Sequence, residues 1–194
     1  MDAAVTTSLC EIVLSTGKWV SLAGIADILY FDSQQQQVFN IQAPWKKYRE
    51  FDLKRIGDGP AWTVLIPGYM RGLQLAHRNF GKLPLKELIL PAAHLARHGF
   101  PYNLAIFPSP QQTEMLNRSQ DGRILLQQLT AQDSIVQESV AEILEDLMMN
   151  GIDAFYSGKF AVSFVQSLRE SGVQVTLEDM STMFLLLLLI SRNL

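Results

Sequence analysis

The stretch VLIPGYMRGLQLAHRNFGKLPLKELILPAAHLARHGFP (Val64–Pro101) decides the fold. Pro67-Gly68 makes a turn between two elements. Leu73, Ala76 and Phe80 then recur at helical spacing as far as Gly81, a C-cap. After Pro84 a second helical stripe follows, Leu85, Leu88, Ile89, Ala92 and Ala96, closed by Gly99 and Pro101. Pro91 falls inside it and predicts a kink or a fresh first turn, because proline lacks an N–H and crowds the preceding turn.

Working outward, Trp62–Ile66 is apolar and β-branched enough for a short buried strand, and the charged stretch Pro44–Pro60 reads as a surface loop. Ile25–Phe31 and Val38–Gln42 read as a hairpin across the polar turn Asp32–Gln37. Val5, Leu9, Ile12 and Val13 predict an opening helix ending near Gly17. Downstream, Asn103–Gln120 is rich in Pro, Ser, Asn and Gln and reads as loop. Ser134 and Gln137 fit a capping box before Val136, Val140, Ile143, Leu144 and Leu147, with Asn150-Gly151 as the stop. Ala161, Phe164, Val165 and Leu168 predict another helix, stopped by Gly172. Val173 and Val175 suggest a brief extended piece, and Thr176 with Asp179 a cap for a last helix. No internal repeat occurs, and one mixed, helix-rich α/β (α+β) domain is expected.

The chain has 194 residues, 48% of them apolar and 18% charged, which is globular composition. A net charge of −3 offers nothing to attract a nucleic-acid backbone, so no nucleic-acid partner is expected. Cys10 is the single cysteine, which excludes an internal disulfide and a multi-thiolate metal site. Met1–Val5 lacks the basic region of a secretory leader. The run MFLLLLLI (Met183–Ile190) is shorter than the roughly 20 apolar residues that cross a bilayer. The chain is therefore expected to be soluble, with apolar ends left uncovered.

Candidate chemistry is sparse. His77, His94 and His98, read as metal ligands, lack a third partner and the one-face spacing of a zinc helix. Read as bases, they lack a neighbouring nucleophile. Lys46, Lys47, Arg49, Lys54 and Arg55 are interleaved with Glu50, Asp52 and Asp58 and read as a solvated face. Ser21–Asp27 has too few glycines to cradle a nucleotide. Asn117-Arg118-Ser119 matches a glycosylation sequon, which matters only in a secreted chain. Composition and spacing alone give a scaffold, with no catalytic, substrate-binding or metal-ligating residue assigned and no cofactor implied.

The order of landmarks is more specific. MDAAVTTSL (Met1–Leu9), AGIADILYFD (Ala23–Asp32), the Val64–Pro101 stretch and GIDAFYSGKFAVSFVQSLRESGVQVTLEDM (Gly151–Met180) run collinear with motifs of one family. The chain resembles the large-subunit portion of the γ-glutamyltranspeptidases (γ-glutamyltransferases, glutathione hydrolases) from Met1 to about Met180. The segment 181–194 departs as a divergent apolar tail. The resemblance implies part of an αββα N-terminal-nucleophile hydrolase sandwich. It further implies a self-cleaving precursor that frees a threonine at the head of a small subunit. That hydroxyl would attack γ-glutamyl amides of the glutathione type, with an oxyanion held by backbone donors. Members often face the cell exterior or the periplasm.

Three departures stand out. None of Thr6, Thr7, Thr63, Thr113, Thr130, Thr176 or Thr182 sits in the nucleophile's context. The family's arginine for the substrate α-carboxylate belongs to an R-E-x-A-P motif, and here NIQAP (Asn40–Pro44) places Asn40 and Ile41 where Arg and Glu are expected. An amide cannot reproduce a bidentate guanidinium–carboxylate pair. The glycine-rich turn has become SLAGIAD (Ser21–Asp27). The expected function is therefore a large-subunit fragment of a γ-glutamyltranspeptidase-like enzyme, truncated or decayed and inactive by itself. Its partner would be the threonine-bearing small subunit. The alternatives are a catalytically dead pseudoenzyme or interaction subunit, or a divergent enzyme acting on another amide.

Overall fold

The computed structural model describes residues 1–16, 20–105, 108–183 and 186–190, and the side chains of 186–190 are outside the description. The chain divides into two compact units. One comprises Met1, Leu22–Gly81 and Ile152–Leu194, and the other Asp2–Ser21 and Lys82–Gly151.

The first unit is built on an antiparallel sheet of order β1-β2-β5, with β1 Ala26–Asp32, β2 Gln37–Ala43 and β5 Leu186–Ile190. The predicted hairpin is present, in register Ala26↔Ala43 through Asp32↔Gln37. Its turn closes because the Asp32 carboxylate accepts from the backbone N–H of Gln34 (2.8 Å) and Gln35 (3.2 Å). Part of the apolar tail therefore forms β5, which pairs with β2 from Val38↔Ile190 to Gln42↔Leu186. Residues 184, 185 and 191–194 of that tail lie outside the described residues.

Helix α2 (Tyr69–Phe80) lies on one face of the sheet. Phe80 stacks on Tyr30 (4.3 Å between centroids) and packs against Phe39 (5.0 Å). Strand periodicity puts Tyr30, Phe39, Ala26 and Ala43 on this face. Gly72 allows the close approach, since a Cβ there would sit 2.6 Å from the Ala43 Cβ. Helices α7 (Asp153–Ser157), α8 (Lys159–Glu170) and α9 (Leu177–Ser181) complete the unit. Phe155, Phe160 and Phe164 run as an aromatic row through α7 and α8. The capping box expected at Thr176 and Asp179 is formed.

The second unit is helical. It contains α1 (Asp2–Leu14), α3 (Leu85–His98), α4 (Pro110–Leu116), α5 (Gln120–Ala131) and α6 (Glu138–Asn150), with a two-stranded ribbon of β3 (Phe100–Pro101) and β4 (Ser134–Ile135). The periodic residues of α1, Val5, Leu9, Ile12 and Val13, are all buried, as are Leu88, Ile89, Ala92 and Ala96 of α3. Helix α1 ends at Leu14; Gly17, where its end was expected, lies outside the described residues. Helix α3 continues through Pro91, which is exposed.

Five expectations are corrected or refined. Trp62–Ile66 is not a strand: Pro60–Thr63 is a 3₁₀ turn with Trp62 buried, and only Ile66 bridges, to Lys46. The Pro44–Pro60 loop contains a second 3₁₀ turn, Leu53–Asp58, and buries Tyr48. Asn103–Gln120 contains α4, where Pro110 takes the first helical position and Ser109 caps it reciprocally with Gln112. Ser134 pairs in β4 instead of capping α6, whose N-cap is Gln137 without a side-chain cap bond. Val173 and Val175 are buried without forming a strand.

Candidate functional site

The turn after Ile66 positions the entrance to α2. The backbone N–H groups of Gly68 (3.1 Å) and Tyr69 (3.0 Å) both donate to the Gly24 carbonyl, tying the helix start to the segment leading into β1. Gly68 is compulsory there: a Cβ would stand 2.3 Å from the Pro44 carbonyl oxygen and 2.4 Å from that of Ala43. The fully buried Tyr156 inserts its hydroxyl into the first turn of α2. It donates to the Pro67 carbonyl (2.9 Å) and accepts from the Arg71 N–H (3.1 Å). Burial pushes its phenol above the ordinary tyrosine range. The Arg71 guanidinium lies 4.4 Å over the Tyr156 ring, donates to Gln74 Oε1 (2.9 Å) and pairs with Asp153. The Arg71 bond holds the Asp153 carboxyl below the usual range.

The opposite sheet face carries Asn40 and Gln42 of the NIQAP segment. Asn40, only 8% exposed, donates from Nδ2 to Asp27 Oδ1 at 2.8 Å. Its own Oδ1 is buried and has no hydrogen-bond partner among the described residues. Where the resemblance led us to expect an arginine facing a carboxylate ligand, the chain thus places an amide already engaged by its own carboxylate. Leu29 and Phe31 share this face and are 67% and 49% exposed.

Four side chains of the basic run, Lys46, Lys47, Arg49 and Arg55, meet partners within the first unit. Lys46 Nζ donates to the carbonyl (2.7 Å) and hydroxyl (2.8 Å) of Thr182, and Lys47 lies over the Phe51 ring. Arg49 pairs with Glu178 (3.0 Å). Arg55 pairs with Asp58 (2.7 Å) and lies 3.8 Å over the Trp62 ring. The backbone N–H of Arg49 also donates to the buried Asp179 (2.8 Å). Burial alone would raise that carboxyl, but bonds from Thr176 and from the Arg49 backbone hold it below the ordinary range. This network, missed in the sequence, ties residues 130 positions apart.

The histidines are divided between the two units. His77 lies on α2 of the first unit, its ring beneath Gly81. His94 and His98 lie on α3 of the second unit. They are four residues apart on one helix face, and their rings stack at 4.1 Å, which corrects the spacing argument made from sequence. No group of three or more His, Cys, Asp or Glu that could hold a metal is found among the described residues. Thr63, Thr113, Thr130 and Thr182 each donate to a carbonyl three or four residues back, and Thr176 bonds Asp179. Cys10 is half-buried, and burial raises its thiol. Among the described residues no helix is long and apolar enough to cross a membrane.

Comparison with known proteins places this architecture. The chain is 27% identical to Scoloptoxin SSD14 of Scolopendra dehaani over 194 aligned positions, covering 93% of this chain and 33% of that protein. It is 31% identical to the glutathione hydrolase proenzyme of Escherichia coli over 156 positions, 74% of this chain and 27% of the relative. The chain thus spans about a third or less of the length of the curated relatives it matches. A solved γ-glutamyltranspeptidase from Pseudomonas nitroreducens, complexed with L-DON, superposes with a TM-score of 0.78 at 20% identity, covering 96% of this chain and 58% of that one. The Helicobacter pylori γ-glutamyltranspeptidase gives 0.74 at 18%, with the same coverage. The helix-rich α+β fold is therefore that of the solved γ-glutamyltranspeptidases. The family model described as Gamma-glutamyltranspeptidase matches residues 1–183, and the chain belongs to that family.

Proposed function

We propose that the chain is the framework portion of a γ-glutamyltranspeptidase-type amide-processing protein. The attacking threonine and a second sheet layer would come from the small-subunit part of the same kind of precursor. The observation that carries this reading is the sheet of the first unit. α2 covers one face, while Leu29 and Phe31 stand exposed on the other. Large apolar side chains exposed on a sheet face are stabilised when another layer covers them, and a second sheet on this face would complete an αββα sandwich. The local bonding of the threonines supports assigning the nucleophile to another segment. Family membership supports γ-glutamyl amides of the glutathione type as the substrate class.

A second reading, a scaffold or interaction subunit that has lost the site, is favoured by the Asn40–Asp27 pair. It offers no cation to a substrate carboxylate.

Two measurements test the proposal. The purified chain alone should release no p-nitroaniline from γ-glutamyl p-nitroanilide, and it should associate through the open face. Leu29→Lys combined with Phe31→Lys should restore a monomer in sizing. A sharp monomeric wild-type peak, or turnover that survives removal of host enzyme, overturns it. Co-expression with a threonine-led small subunit of the same source separates the readings: turnover favours the enzyme, and association without turnover the scaffold.

A further inference from the structure

We propose that His94 and His98 form a two-imidazole chelate for a borderline divalent transition-metal ion, copper, nickel or zinc, on the exposed end of α3. Both residues are exposed, four positions apart on one helix face, with ring centroids 4.1 Å apart and planes at 26°. Residues at this spacing are neighbours on a helix surface, so one ion reaches both rings through side-chain rotation alone.

The tautomer is already set at one of them. His98 Nδ1 lies 3.2 Å from the His94 carbonyl oxygen. A carbonyl only accepts, so Nδ1 carries the proton and Nε2 keeps the lone pair that a metal needs. The contact is the kind of outer-shell bond that orients a ligating imidazole. The location also favours a cation, because the last carbonyls of α3 carry the negative end of the helix dipole.

The neighbouring charges leave the rings available. Arg97 lies between them in sequence, but its guanidinium is taken by Glu138 and Glu145 of α6. Glu145, the carboxylate that acts electrostatically on His98, has both oxygens engaged by Arg97. With two protein ligands, water completes the coordination shell. Imidazole donors select d-block ions over magnesium and calcium, which take oxygen ligands. The ion would span one turn and favour the folded helix by mass action.

Calorimetric titration of the untagged chain with NiCl₂, CuSO₄ or ZnCl₂ tests this. The expected result is one ion per chain, competed by free imidazole, with magnesium giving no heat. His94→Gln and His98→Gln should each weaken binding at least about tenfold and by similar factors, whereas His77→Gln leaves it unchanged. Thermal melting of the same variants without metal checks that they fold, and the wild-type melting temperature should rise with nickel while that of either Gln variant stays fixed. Binding that survives both substitutions, loss on His77→Gln, or no binding at millimolar metal overturns the proposal.

Discussion

Tyr156→Phe isolates one hydroxyl that joins α7 to the start of α2. The ring stays, so its contacts with Phe155 and the Arg71 guanidinium persist, and only two hydrogen bonds are removed. A hydrogen bond contributes about 0.5–1.5 kcal/mol net, and a buried group left unsatisfied costs about 1–3 kcal/mol. The Pro67 carbonyl and the Arg71 N–H are four residues apart at a helix start. They can partly recover by bonding each other directly, as in an ordinary helical turn. The expected loss is therefore about 2 kcal/mol, below the sum of two orphaned groups. For a chain of this size that lowers the melting temperature by about 4–8 °C. Differential scanning calorimetry or urea denaturation reads it. A change under about 0.5 kcal/mol would show that the hydroxyl is not holding the turn. The phenol gives an independent readout. Its folded value is raised above the unfolded one, so its contribution is intact below about pH 10 and fades as pH rises further. Tyr156 and the buried Tyr48 should thus both resist ionisation at 295 nm, and Tyr156→Phe should reduce the late absorbance step by one tyrosine.

Other substitutions probe the remaining joints. Gly68→Ala drives a methyl into two backbone carbonyls that cannot move independently, so a loss at or above about 3 kcal/mol is expected, seen as insoluble expression or a collapsed melt. Asp179→Asn keeps one acceptor oxygen and turns the other into an NH2 donor, so either the Arg49 N–H or the Thr176 groups lose their acceptor, which should cost about 1–3 kcal/mol at neutral pH. The folded carboxyl is depressed, so its stabilisation is present above about pH 4 and disappears as pH falls through the folded value. The difference from wild type should close in acid, and a gap independent of pH would contradict the argument. Leu144→Ala in α6 empties a fully buried site and should cost about 2–5 kcal/mol by urea denaturation.

What could be read from sequence was what local periodicity controls. The hairpin, α1, α2, α3 and α8 followed from residues whose spacing fixes a face. The capping box shows where such reasoning stops. Ser109-Pro110 with Gln112 carried the full signal for α4, but the surrounding prolines and amides read as loop. Ser134 with Gln137 carried the same spacing, yet Pro101 offers Ser134 a strand partner and the helix begins after Gln137. Identical local chemistry gave opposite outcomes because a distant segment was available at one site. Trp62–Ile66 failed for a related reason: buried apolar residues do not distinguish a strand from a 3₁₀ turn begun by Pro60. The Tyr156–Pro67 bond, across 89 residues, has no local signature.

The two faces of the sheet explain why framework was legible and chemistry was not. Ala26, Tyr30, Phe39 and Ala43 meet α2, where a Cβ on Gly72 would stand 2.6 Å from Ala43, so that face tolerates little change and keeps its pattern. Asp27 and Asn40 point the other way. Asn40 thus engages Asp27 on that face and lies away from the contacts made with α2. A chain can therefore hold the γ-glutamyltranspeptidase framework on one face while the side chains of the other face are free to vary. Asn40 Oδ1 gives that face a buried acceptor beside a carboxylate, which suits an N–H donor and repels a carboxylate ligand.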